Sequence, residues 1–551
     1  MQNINQNFTY FNNIAQEYHK ALYKNIAENP LMQMAPVFNK LFFDILNKTL
    51  PQILKDPVKI HNKTLSYQLK IIQASTASLN TNELIKVLHK ELLNYYLELV
   101  EDTQIEDKDR GYFTFWIKQF FNACDPANFI LFNDKSLNKC IDSKLENIFK
   151  GIANFQDEWL HSSKGYFMLP TVDPKPFKLG KNIASTEGKV IYKNSIIELI
   201  CYKPKKDVYS IPILIVPPCI NKFYVLDLSE SNSFVKWLVD NNFQVFILSW
   251  VNPKSSEQNF TFEEYIKQGI LEPTRYILEE FGYKKLNAIG YCIGGTMLGT
   301  LLGYCVKRNI NIFNSATFFN TLLDFSDLGD LSVFIRQETI EQFKKLGHKA
   351  GYFDGSLLYN FFNLLKSKEM IWSTYINHYL QGNDSKAFDI LYWNADYVNM
   401  PLKMFEFYLE KMCLENLLST PNQISVLNTR IDLSKISIPS FFVASKNDHI
   451  VPWKQSYKSM NCLDGDKTFC LTDSGHVAGI LNPPHLNKYN HWLGKTQECS
   501  LAWLDSAKQF QGSWWNTYVD WLKQYSGELT KPLKYKDIPS IGKAPGEFCK
   551  S

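Results

Sequence analysis

Cys292 stands in the run Gly290-Tyr291-Cys292-Ile293-Gly294-Gly295, between a stretch that reads as a strand (285–291) and one that reads as a helix (293–307). This is the G-x-S-x-G arrangement with cysteine in place of serine, in which a nucleophile sits on a sharp strand-to-helix turn. Its chemistry is attack on a carbonyl carbon and formation of a covalent acyl intermediate. Such a turn is strained, and side chains on its flanks would clash, which accounts for the glycines. The turn also sets the sulfur at a helix N-terminus, where the helix dipole and free N–H groups favour negative charge. The Ile293 N–H would face a developing oxyanion. The loop Pro217-Pro218-Cys219-Ile220-Asn221-Lys222, which follows the strand-like run 211–216, is placed to supply a second N–H from Ile220, with Cys219 beside it. The competing reading is a buried, inert cysteine within a chance match.

A cysteine nucleophile needs a base, and on this scaffold the chain order is nucleophile, acid, histidine. Asp448 follows the strand-like run 440–445, and His476 follows the run 467–471. Both therefore leave C-terminal strand ends, the edge where open α/β sheets keep their sites. Ten histidines are present, so one in such a place is unremarkable alone; the joint placement of Cys292, Asp448 and His476 is the informative fact. His449 competes for the base role. As the sequence neighbour of Asp448 it would struggle to face both that carboxylate and Cys292.

The elements that must position these residues read as an α/β fold of the α/β-hydrolase kind. Residues 1–172 are expected to form a mainly helical N-terminal domain. Within it Leu84, Leu88, Leu92, Tyr96 and Leu99 mark one helix face, and 113–123 is an aromatic helix ended by Asp125-Pro126. The prolines of 170–176 read as a linker. Residues 173–551 are expected to form the catalytic domain. A hairpin is expected over 189–202, then strands over 211–216 and 244–249 alternating with helical runs at 234–239 and 262–281. Such alternation indicates a mostly parallel sheet covered by helices. From about 322 to 433 strand signals vanish, which suggests a helical cap inserted before the last sheet strands.

Bulk properties narrow the function. With 551 residues, a net charge of +4 and no long Lys/Arg block, the chain carries no nucleic-acid footprint. Residues 1–10 lack the basic and apolar regions of an export signal, and no run reaches the ~18 apolar residues that span a bilayer. The eleven cysteines make no C-x-x-C pair, and no His/Asp/Glu cluster has ligand spacing, so reduced cytosolic thiols and no metal are expected.

Several runs together resemble the polyhydroxyalkanoate synthases. They are Pro217 to Lys222 continuing to Leu226-Asp227-Leu228, Ser249-Trp250 with Asn252-Pro253, and Gly290-Tyr291-Cys292-Ile293-Gly294-Gly295-Thr296. Thr321-Leu322-Leu323-Asp324-Phe325, Tyr392-Trp393-Asn394 with Asp396, and Asp448-His449-Ile450-Val451-Pro452-Trp453 continue the likeness. Ser474 to Pro484, His491-Trp492 and Gly512-Ser513-Trp514-Trp515 close it. The motifs run in family order from Asp125 to about Leu522, and the elbow variant is similar to the class I type. The resemblance implies polymerisation of 3-hydroxyacyl-CoA thioesters, of short chain such as 3-hydroxybutyryl-CoA, with CoA release. It implies Cys292 as acyl carrier, His476 as base, and Asp448 pairing with His476 or activating the incoming hydroxyl. Asp227 and Trp393 match positions tied to activity and dimerisation; the one also reads as a helix cap and the other as cap packing. It further implies a homodimer in the cytoplasm on polymer granules, with no cofactor beyond the CoA that the substrate carries. Alternatives are a cysteine hydrolase of the dienelactone-hydrolase kind, a granule-surface scaffold with a vestigial triad, and a depolymerase, which usually carries serine at the elbow.

Overall fold

The computed structural model describes residues 27–77, 79–161 and 167–551, together with Lys20 and Lys24. Residues 1–10, read above for an export pattern, lie outside the described residues. The chain forms two compact units. The first takes the N-terminal residues to Asp173 together with Ser332–Gln342 and Leu357–Lys386; the second holds the rest. The stretch expected as a single cap, about 322–433, is thus shared between the two units. It is also not free of strand, since Ser425–Val426 pairs with Thr429–Arg430.

The first unit is helical throughout its named elements, among them Pro30–Leu54, Pro57–Thr76, Thr81–Glu101 and Asp107–Ala123. Thr81–Glu101 starts at a capping box in which Asn80 and Glu83 satisfy each other's backbone N–H. Its apolar stripe is only half-buried, and Tyr96 is exposed, so this helix owes its ends to local capping more than to deep burial. Asp107–Ala123 is better anchored. Tyr112 donates to the Phe38 carbonyl, and Asp109 pairs with Arg336 at 2.8 Å.

The second unit is built on an 11-stranded sheet. Its central strands run parallel in the order Val245–Trp250, Ile213–Val216, Leu286–Tyr291, Phe313–Phe319, Ser440–Ser445 and Lys467–Thr472. Antiparallel strands flank them. His491–Gly494 and Lys508–Phe510 lie on one side, and Ile197–Tyr202, Gly188–Lys193 and Gly542–Lys543 on the other. Parallel strands covered on both faces become continuously apolar, and Val245–Trp250, Leu286–Tyr291 and Ser440–Ser445 are buried at every residue.

Register decides what meets at the sheet edge. Val216 pairs with Gly290, Tyr291 with Phe319, Phe319 with Val443, and Ser445 with Thr472. The loops leaving these strands, which carry Ile220, Cys292, Asn320, Asp448 and His476, therefore emerge along one edge. The strand Phe313–Phe319 was not expected from sequence. Its run Phe-Asn-Ser-Ala-Thr-Phe-Phe has polar interruptions and no β-branched series, and it becomes a strand because it pairs on both sides in the sheet centre. The helix over 262–281 is present, but Tyr265–Leu271 within it is wound as a π-helix.

Under the sheet lies an aromatic core in which Phe234, Phe319, Trp514, Trp515 and Tyr518 pack against one another. Trp514 and Trp515 also donate their indole N–H groups to the carbonyls of Gly479 and Ile480, at 3.0 and 2.8 Å. The core thereby grips the loop after Lys467–Thr472. Trp514→Ala is expected to cost ~3–5 kcal/mol from lost apolar burial together with the cavity left behind. Urea denaturation checks this: the midpoint should fall well below that of the parent and recover in part with Trp514→Phe, which restores packing but not the hydrogen bond.

Candidate active site

Cys292 has φ 53° and ψ −124°, a conformation that non-glycine residues rarely take. Holding it costs about 1–3 kcal/mol, which the surrounding backbone must supply. The Cys292 N–H is bound by the Phe319 carbonyl at 2.9 Å, and its carbonyl receives the Gly295 N–H at 2.9 Å. The glycines around it are sterically required. A Cβ on Gly290 would come within 2.5 Å of the Gly295 Cα, and one on Gly294 within 2.3 Å of the Val216 carbonyl oxygen. One on Gly295 would meet the Thr321 hydroxyl at 2.1 Å. The helix Ile293–Lys307 begins directly after the cysteine, so its first N–H groups have no intrahelical partner.

His476 faces this cysteine. Its Nδ1 lies 2.6 Å from the Asp448 Oδ2, and the Cys292 thiol lies close enough for its field to act on the ring. The Asp448 side chain is wholly buried, and its other oxygen accepts the N–H groups of Ile450 and Val451 at 2.8 and 2.9 Å. Burial opposes charge on His476, but the field and hydrogen bond of Asp448, followed by those of Cys292, outweigh it and push its pKa up to about 10. The ring is thus held ready to carry a proton between sulfur and substrate.

The backbone of the histidine loop is pinned from below. The His476 carbonyl accepts from the Tyr291 hydroxyl at 3.0 Å and from the Asn320 amide at 2.6 Å. Asn320 also donates to the Ser445 hydroxyl at 3.0 Å, which ties the histidine and aspartate loops together. Gly479 allows this closeness, because a Cβ there would strike the Ser445 hydroxyl at 2.2 Å. Asn320 and the structural use of Tyr291 were missed in the sequence. Asn320 follows the unrecognised strand Phe313–Phe319, and recognising that strand would have placed it at the catalytic edge.

The loop 217–222 is fastened at several points. The Trp250 indole donates to the Pro217 carbonyl at 2.9 Å, the Val398 N–H to the Ile220 carbonyl at 3.1 Å, and the Trp393 indole to the Lys222 carbonyl at 2.7 Å. Trp393 is buried in the core, a packing role for this unit. Cys219 is buried with its sulfur 4.0 Å from that of Met400, and burial, followed by the nearby Cys292, pushes its thiol pKa up. It is poorly suited to nucleophilic work. The structure does not join Asp227 to the catalytic set. Its carboxylate takes the hydroxyls of Thr186, Ser233 and Tyr202 at 2.5, 2.7 and 3.4 Å. Burial raises its pKa against the pull of the Thr186 and Ser233 bonds. His449 is half-buried next to Asp448, whose carboxylate is engaged by His476. Among the described residues no group of His, Cys, Asp and Glu is arranged to hold a metal ion.

The family description "Poly-beta-hydroxybutyrate polymerase (PhaC) N-terminus" matches residues 75–238, and "alpha/beta hydrolase fold" matches residues 212–483. The chain is 33% identical over 92% of its length to the poly(3-hydroxyalkanoate) polymerase subunit PhaC of Rhizobium meliloti, covering 83% of that protein. It is 34% identical over 82% of its length to the protein of that name from Cupriavidus necator, covering 78% of it. With poly(3-hydroxyalkanoate) polymerase 2 of Ectopseudomonas oleovorans it shares 35% identity over 82% of its length and 80% of the relative. The likeness begins well before Asp125, where the motifs had placed its start. Residues 75–124 are largely helical.

Linkage gives the site a pH signature. The folded protein binds the His476 proton more tightly than the unfolded chain, whose histidine titrates near 6.5. The pair's contribution to stability is therefore complete below about 6.5 and is lost as pH rises through about 10. The difference in thermal midpoint between the parent and His476→Gln should shrink steadily across that interval. A difference that stays constant from pH 6.5 to 10 would contradict the raised value.

Proposed function

The chain belongs to the poly(3-hydroxyalkanoate) polymerase (PhaC) family, and from that premise we propose that it polymerises 3-hydroxyacyl-CoA thioesters of short chain, such as 3-hydroxybutyryl-CoA, through a thioester on Cys292. One observation carries the reading: an elbow cysteine beside a histidine that is itself held on a buried aspartate. The proton of the Cys292 thiol rests on His476, whose pKa is pushed up to about 10, and the thiolate so formed attacks the thioester carbonyl. The tetrahedral oxyanion rests on the Ile293 N–H and on the Ile220 N–H of the loop 217–222. The bond to CoA sulfur then breaks, and the CoA thiolate takes the proton from His476. A hydroxyl of another monomer or of the chain end next attacks the acyl-cysteine. His476, charge-compensated by Asp448, accepts the hydroxyl proton, an ester bond forms, and the C–S bond to Cys292 breaks and returns the sulfur to its starting state.

Cysteine suits this cycle. Exchange of one thioester for another is nearly balanced, so the acyl-enzyme is neither a deep well nor a steep climb. The raised pKa of His476 supports storage of the proton during acylation. CoA arrives with the substrate, and the reaction draws on no further cofactor. Work as a homodimer on the surface of cytoplasmic polymer granules is part of the same proposal. Among the described residues no helix is long and apolar enough to cross a membrane.

The test is incubation of the purified protein with 3-hydroxybutyryl-CoA, following thiol release and analysing the acyl product. Release with insoluble polyester is expected. Cys292→Ala should abolish it, and Cys292→Ser should lower it by ~100-fold or more through loss of thiolate nucleophilicity. Release of free 3-hydroxybutyrate alone would mean that water wins at the acyl-enzyme and that the protein is a cysteine hydrolase. Polymer formed by Cys292→Ala would exclude Cys292 as the acyl carrier.

A further inference from the structure

Lys222 closes the loop that offers the Ile220 N–H, and it is only 3% exposed. Burial lowers its pKa, partly offset by the nearby Asp396 carboxylate. An ammonium in such a place is costly unless its donors are satisfied. Its Nζ donates to the Phe548 carbonyl at 3.0 Å and to the main-chain oxygen of Ser551. The Asn252 amide, from the loop after Val245–Trp250, reaches the same Ser551 oxygen at 3.3 Å.

The segment that supplies these oxygens is itself clamped. Gly542–Lys543 pairs with the sheet edge at Lys189 and Val190. Beyond it, the N–H groups of Glu547 and Phe548 converge on Glu198 Oε2 at 2.8 and 2.9 Å. The other oxygen of Glu198 takes the Lys193 ammonium at 2.8 Å, and that ammonium sits 4.4 Å from the centre of the Phe548 ring. Glu198 is 2% exposed. Gly546 is needed here, since it has φ +86° and a Cβ would come within 2.3 Å of Glu198 Oε2. Two buried charges of opposite sign thus hold one strap, Glu198 through its N–H groups and Lys222 through its carbonyls.

We propose that residues 542–551 act as a strap that fixes the oxyanion loop through Lys222, which makes Lys222 a positioning residue for acylation of Cys292. The far side of Lys222 is held by Trp393, so the strap and Trp393 together set the height of the Ile220 N–H above the sulfur. Lys222 touches no reacting atom. The inference rests on the acyl-enzyme reading above, with Ile220 as an oxyanion donor.

Two reactions of the same thiol separate positioning from general damage. The burst of p-nitrophenol from p-nitrophenyl acetate forms an oxyanion, whereas alkylation by iodoacetamide forms none. Lys222→Met is expected to slow the burst by ~10–100-fold, less than the ~100–1,000-fold of losing an oxyanion donor outright, because the N–H is displaced and not removed. Alkylation should stay within about twofold of the parent, because thiolate supply from His476 is untouched. Lys222→Arg should restore most of the burst by reaching the same carbonyls. Glu198→Gln, which loosens the other end of the strap and is the milder change, should slow the burst in the same direction if Lys222→Met does not fold. A burst unchanged in both Lys222→Met and Glu198→Gln, or burst and alkylation falling together in every folded variant, would overturn the proposal. The natural acyl donor does not enter this test, so failure of the parent to make polyester would count against the polymerase reading alone.

Discussion

A cysteine held at φ 53° and ψ −124° is the constraint on which the rest of the catalytic unit turns. That backbone is unfavourable on its own and persists because the sheet over-determines it. The strand before it is paired on both sides, the helix after it is buried along most of its length, and the Phe319 carbonyl holds its N–H. The absence of side chains at Gly290, Gly294 and Gly295 lets the helix press onto the strand ends of 213–216 and 313–319. Relieving that pressure anywhere would let the sulfur drop away from His476.

The supports of the site divide into two sets. One fixes His476: Asp448 orients the ring, while Tyr291, Asn320, Trp514 and Trp515 fix the backbone of its loop. The other fixes the loop across from it: Trp250, Val398, Trp393 and Lys222 each bind one of its backbone groups or tether its end. Such division suits covalent acyl transfer, in which proton movement and oxyanion stabilisation must both be in place before bonds change. Several tryptophans of the family-like motifs act here through their indole N–H groups, which explains why phenylalanine would not serve equally well at those places.

Much of this was legible in the sequence because the signals are local. The elbow glycines, the alternating strands and helices, and the order of Cys292, Asp448 and His476 all follow from short-range sterics and strand-end placement. The boundaries of the helix after Cys292 were read to the residue. Where sequence reading fell short, long-range pairing was responsible. Phe313–Phe319 has a weak strand pattern and is a strand because its neighbours complete it. The stretch 322–433 looks uniform in sequence yet is shared between two units.

By itself, then, the sequence picked out the elbow cysteine and the aspartate and histidine that meet beside it, the α/β class and the family, because each depends on residue types at fixed spacing or at strand ends. Only the tertiary structure decided that Asp227 takes the hydroxyls of Thr186, Ser233 and Tyr202, that Asn320 and Tyr291 steady the histidine loop, and that the 542–551 segment reaches Lys222. These contacts join residues far apart in the chain. Their partners are chosen by strand register and by the need to satisfy buried polar groups, neither of which leaves a mark in any short stretch of sequence.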